Sequence, residues 1–269
     1  MVSEKYINAP DNYQLYSIEQ GSGPTLVFIP GLVVTTTFFQ KQMDVFSRAF
    51  RCISYDPRSQ GKSSLDFQHN NNVQRGKDLK LILDAYDIDE ACFIGWSDGY
   101  FAICSYAEQF GLSKIKAVVN LDRPVNGVIK KKGDYAFGSF PHQTLVYLSI
   151  LHDYENFLGD FIRSFFDVRP DEQTLNTLIN EALITPCTIA SQLLADNLFR
   201  NYQQQTIQLA EAVPYLHFVA KERENMASQW CEKYIPSAEL HVFGKHMMFW
   251  EYEKEFNAIL SDFLQKYFS

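Results

Sequence analysis

A serine framed by two glycines, Gly95-Trp96-Ser97-Asp98-Gly99, is the segment of this chain best suited to chemistry. With 13 Gly in 269 residues, chance supplies only about 0.04 G-x-S-x-G matches. The motif sits between Ala91–Ile94, a run of strand formers, and Tyr100–Phe110, a mostly apolar stretch read as a helix. A sharp strand-to-helix turn there holds a serine hydroxyl clear of the backbone, and glycines without a Cβ let the two elements approach closely. The free N–H groups and positive end of the following helix face developing negative charge. The chemistry expected is nucleophilic attack on an acyl carbonyl.

A serine nucleophile needs a base, and six His are available. His246, in Phe243-Gly244-Lys245-His246-Met247-Met248-Phe249-Trp250-Glu251, is expected in a loop between the last strand and the last helix, the position and chain order of a catalytic imidazole. His217 and His241 fall inside strands and read as structural imidazoles. His142 and His152 lie where they could touch substrate, and His69 lies in a polar loop. No two His or Cys have metal-ligand spacing, so no metal and no cofactor is expected. The five cysteines include no C-x-x-C pair and read as reduced, mostly buried thiols.

The elements that must position these groups follow an α/β pattern. Thr25–Ile29, Cys52–Tyr55, Ala91–Ile94 and Ile115–Leu121 read as short strands buried on both faces. Helical stretches lie between them, at 39–48, 73–86 and 100–110. Leu79, Ile82, Leu83 and Tyr86 make one apolar stripe in the second of these. Such alternation predicts a mostly parallel sheet covered by helices on both sides. After Leu121 the strand signal stops until Tyr215–Ala220, and a final strand (239–243) and helix follow. Segment 135–166 carries nine aromatics, from Tyr135 to Phe166, as an ordinary helical core or a cap lining an apolar pocket would. We therefore expect a core domain from 1–124 and 206–269, and a helical cap insertion at 125–205.

The chain resembles the α/β-hydrolase superfamily over nearly its whole length, in its esterase- and haloperoxidase-like branch. Ile29-Pro30-Gly31-Leu32 is similar to the oxyanion-loop motif, and Tyr55-Asp56-Pro57-Arg58-Ser59-Gln60-Gly61-Lys62-Ser63 to the D-x-R-G-x-G-x-S loop. GWSDG resembles the nucleophile elbow, and GKHMMFWEYEKEFN the segment carrying the catalytic His. The resemblance implies an oxyanion hole from the backbone N–H groups of Leu32 and Asp98. Lys245 replaces a usual Gly and would place a cation near the site entrance. Most relatives carry the triad acid after the strand here at 215–220, but this chain reads Ala220-Lys221-Glu222-Arg223-Glu224-Asn225, with no Asp. Glu222 or Glu224 could serve from that loop. Asp122 is the preferred candidate: it follows Ser97 by one helix and one strand, and some family members place the acid there. A loop aspartate paired with Arg123 is the bland alternative. Asp98 would favour the start of the following helix and, if it faced the pocket, disfavour anionic substrates.

The expected activity is that of a serine esterase or lactonase acting on a small apolar substrate through Ser97, His246 and Asp122. A cofactor-free quinolone-type dioxygenase on the same fold, and a non-catalytic small-molecule-binding relative, are the alternatives. A net charge of −8 argues against a nucleic-acid or anionic-membrane partner. No apolar run reaches 18 residues and the first residues lack a secretory pattern, so a cytoplasmic location is expected. Nothing in the sequence bears on oligomeric state.

Overall fold

The computed structural model describes residues 2–10 and 12–268. In chain order the strands are β1 (Ser3–Asn8), β2 (Gln14–Gln20), β3 (Thr25–Ile29), β4 (Arg51–Tyr55), β5 (Ala91–Trp96), β6 (Ile115–Leu121), β7 (Tyr215–Val219) and β8 (Glu239–Val242). They form one eight-stranded sheet in the order β1-β2-β4-β3-β5-β6-β7-β8. β1 pairs antiparallel with β2, and β2 antiparallel with β4; every later pairing is parallel. The sheet is mostly parallel and flanked by helices, as the alternation of strand and helix signals predicts. The weak alternation of the first 23 residues becomes an antiparallel hairpin at the sheet edge, whose outer strand is exposed at most positions.

The central strands are apolar on both faces because helices cover both. β5 is buried at all six residues, Ala91 to Trp96. On one side lie α2 (Asn72–Ala85) and α3 (Asp98–Phe110), which pack closely against each other. The Asn71 side chain caps α2 by accepting from Gln74 N at 2.9 Å. On the other side α1 (Gln40–Phe46), preceded by a 3-10 turn at Thr36–Phe39, leaves Phe39 stacked on Phe249, their ring centroids 5.1 Å apart. The helix expected at 39–48 is present as α1, preceded by the 3-10 turn that Thr35 caps.

Between β6 and β7 the chain runs through α4 (Phe140–His152), α5 (Tyr154–Arg163), α6 (Glu172–Leu183), α7 (Cys187–Phe199) and α8 (Gln203–Ala212). α8 packs on α3, while α4 packs on α7 and α5 on α6. α9 (Glu224–Tyr234) follows β7, and α10 (Met248–Glu251) and α11 (Glu253–Phe268) close the chain. The aromatics of 135–166 divide by location. Phe137, Phe157, Phe161 and Phe165 line a cavity, Tyr135 packs against Trp230 away from it, and Phe140 is exposed. Among the described residues no single helix is long and apolar enough to cross a membrane.

Candidate active site

Ser97, between β5 and α3, has φ 52° and ψ −125°, a conformation that L-residues rarely adopt. The flanking glycines are a steric necessity. A Cβ on Gly95 would lie 2.7 Å from the Tyr100 backbone, and one on Gly99 1.9 Å from the Ile29 carbonyl oxygen. Asp122, directly after β6, also has a positive φ, 53°. Strain of this kind costs on the order of 1–3 kcal/mol per residue and persists where the surroundings over-determine it. Here it turns two side chains out at the adjacent C-terminal ends of neighbouring parallel strands.

His246 lies in the loop between β8 and α10, and Trp96 Nε1 donates to its backbone oxygen at 2.9 Å. Its ring is held among Phe165, Trp96 and Phe137, with centroids 4.9, 5.4 and 5.7 Å away. His246 Nδ1 lies 2.6 Å from Asp122 Oδ2. Ser97 and His246 line one cavity of about 330 Å³, together with Leu32 and Asp98. Its apolar wall comes from Val146, Ile150, Phe157, Phe161, Phe165 and Leu194.

Asp122 is fully buried and saturated with donors. Its Oδ1 accepts from Ala220 N at 2.9 Å and Arg223 Nε at 3.1 Å, and its Oδ2 accepts from Arg223 Nη2. Burial alone would raise its pKa, but the Arg223 guanidinium and the His246 ring outweigh burial and hold the carboxyl well below the usual carboxylate range. Arg223 thus comes from the loop after β7 that also carries the alternative acid candidates Glu222 and Glu224. Sequence reasoning passed over it, because an arginine between two glutamates reads as a solvated loop residue.

The other candidates fall elsewhere. Glu222 lines the cavity mouth and accepts from Arg223 Nη1, and Glu224 is exposed at the start of α9; neither is hydrogen-bonded to His246. Arg123 pairs with Asp98 at 3.2 Å, not with Asp122. Asp98 faces the cavity, but Arg123 and Asn197 both engage its carboxylate, so the expected repulsion of anions is largely cancelled. Lys245 turns to Asp167 at 3.6 Å and is not part of the cavity wall. His142 lines the cavity and His152 is exposed. Cys52, Cys92, Cys104 and Cys231 are buried free thiols; burial pushes Cys104 up to about 12, far from a thiolate nucleophile. Among the described residues no group of three or more His, Cys, Asp or Glu could hold a metal ion.

His217, in β7, is buried beside the Tyr135 hydroxyl at 3.3 Å, and burial lowers its pKa to about 4. An unfolded histidine titrates near 6.5, so between pH ~6.5 and ~4 the unfolded chain takes up a proton that the folded chain refuses. Stability is complete above that window and falls as pH drops through it, by about 3 kcal/mol. A His217→Gln variant should show a flatter denaturant midpoint between pH 7.5 and 4.5 than the parent. Parallel slopes would contradict this.

Three comparisons with known proteins bear on the fold. Residues 24–168 match the family model described as alpha/beta hydrolase fold. A Synechocystis sp. protein named as a non-heme chloroperoxidase is 23% identical over 267 residues, covering 93% of this chain and 95% of its own length. The bromoperoxidase structure from Bacillus anthracis superposes with a TM-score of 0.89 at 19% identity, covering 98% of this chain and 100% of that one. The esterase from Exiguobacterium antarcticum superposes at 0.88 and 18% identity, with the same coverage of 98% and 100%. The family match spans more than half of the chain, and the eight-stranded sheet follows the same architecture. This chain belongs to the alpha/beta hydrolase fold family.

Proposed function

We propose that the protein is a serine hydrolase that cleaves a carboxylic ester or lactone of a small apolar substrate. One observation carries this reading: a buried carboxylate, Asp122, lies 2.6 Å from Nδ1 of an imidazole that shares a cavity with the strained Ser97. Ionised Asp122 accepts from Nδ1–H and so keeps Nε2 of His246 as the acceptor. Nε2 takes the Ser97 proton as Oγ attacks the carbonyl, then returns it to the leaving alkoxide. Water repeats the sequence on the acyl-enzyme and releases the acid. The N–H groups of Leu32 and Asp98 receive the oxyanion. Leu32 N has no hydrogen-bond partner among the described residues, as a vacant donor requires. In this reading 125–205 is a cap over a core made of 1–124 and 206–269.

The test is labelling by a fluorophosphonate probe, rapid in the parent and absent in Ser97→Ala. No labelling of the parent would favour a binder, or a dioxygenase-like mechanism in which the His–Asp pair deprotonates substrate.

The apolar wall sets a second expectation. Each buried methylene contributes about 0.8 kcal/mol, so kcat/KM should rise up to a few-fold per carbon along a p-nitrophenyl ester series until the cavity is full. A flat response from acetate to octanoate would remove the apolar wall from the account of specificity.

A further inference from the structure

Arg75, in the first turn of α2, is 5% exposed, yet no carboxylate among the described residues lies within ion-pair reach of it. A buried cation without a counter-ion is unfavourable and calls for a reason. Its Nη2 donates to Gln60 Oε1 at 2.7 Å and to Gly31 O at 3.3 Å, and its Nε has no partner among the described residues.

Gln60 is fully buried, and its amide is used completely. Nε2 donates to Gly31 O at 3.0 Å and Val34 O at 2.8 Å, and Oε1 accepts from Val33 N at 3.1 Å and from Arg75. These contacts surround Leu32 and leave its N–H alone. They also hold Val33 at φ 57°, an outlier for a β-branched residue. The loop presses directly on the elbow, since a Cβ on Gly31 would lie 2.9 Å from Ser97 Cβ.

The chemistry follows from the shared peptide unit. Gly31 C=O and Leu32 N–H belong to one amide. Two donors on that carbonyl, one of them cationic, polarise the amide and strengthen its N–H as a donor. We propose that Gln60 and Arg75 are positioning residues that clamp the oxyanion loop and place a cation with no directly paired carboxylate behind the Leu32 N–H. This inference rests on the serine hydrolase reading and deepens it. Gln60 shapes the loop, and Arg75 supplies the field. A negative charge arising at the carbonyl oxygen in the transition state is stabilised; a neutral ground-state ester gains little.

The experiment compares Arg75→Met, Arg75→Lys and Gln60→Leu with the parent, using a p-nitrophenyl ester and an alkyl boronic acid, which becomes an anionic tetrahedral adduct on the serine. We expect Arg75→Met to lower kcat by about 10- to 100-fold with KM within about twofold, because one misplaced or weakened oxyanion donor has effects of that order or larger. Boronate affinity should fall in step. Arg75→Lys keeps the charge and should recover part of both losses; Gln60→Leu should resemble Arg75→Met. An unchanged kcat in Arg75→Met overturns the inference. So does a kcat loss with unchanged boronate affinity, or a loss that appears equally in KM. If Gln60→Leu does not fold, the two Arg75 variants decide the matter. Failure of the hydrolase reading would be seen separately, as missing fluorophosphonate labelling in the parent; failure here would be seen with labelling of the parent intact.

Discussion

Ser97→Ala should lower kcat for ester hydrolysis on the order of 10⁴-fold or more, with the fold unchanged. The substitution removes only Oγ. It retains the Cβ that sits against Gly31, and it leaves the neighbouring glycines and the helix start intact. Backbone strain at φ 52° is no greater for Ala than for Ser, so thermal midpoint and circular dichroism should match the parent. Residual turnover can come only from water activated by His246 beside the oxyanion donors. Near-parental hydrolysis of a p-nitrophenyl ester by this variant would remove Ser97 from the nucleophile's role.

Asp122→Asn carries the second large effect, a kcat loss of about 10²–10⁴. The amide can present N–H to Nδ1 and so select the tautomer in which Nε2 carries the proton and cannot accept another. The substitution also leaves Arg223 with Glu222 as its only paired carboxylate among the described residues, and the Glu222 side chain is 56% exposed. Loss of one partner from a buried ion pair typically costs about 3–5 kcal/mol, so the thermal midpoint should fall as well. Glu224→Gln, at an exposed site, should change kcat by less than about tenfold. Steady-state kinetics on the two variants side by side decide the point. The reverse ranking would move the acid to the loop after β7, and full activity in both would mean that Ser97 and His246 act without a third member.

Much of the architecture was legible because it is local. Thr25–Ile29, Ala91–Trp96 and Ile115–Leu121 are short runs of strand formers that a two-sided cover requires, and their order with the intervening helices defines a parallel sheet. The turn at Ser97 was visible because glycine has a steric meaning there. Asp122 was legible by chain geometry, since one helix and one strand return the chain to the neighbouring strand end. What stayed hidden depends on side-chain partners distant in sequence. Arg223 meets Asp122 across 101 residues, and Arg75 meets Gly31 across 44. Gln60 sits at an unspecified position of its loop motif, so nothing marked it. The aromatic count at 135–166 could not separate rings that line the cavity, such as Phe161, from rings packed elsewhere, such as Tyr135.

The hydrogen bond between His246 and Asp122 joins residues 124 positions apart. Closing such a span is entropically slow, and it can occur only once β6, β7 and β8 are aligned in register. During refolding, helical circular dichroism and burial of the central strands should therefore precede catalytic competence. Chains in which that closure has not yet formed are expected to be compact and to lack the activity proposed for Ser97 and His246.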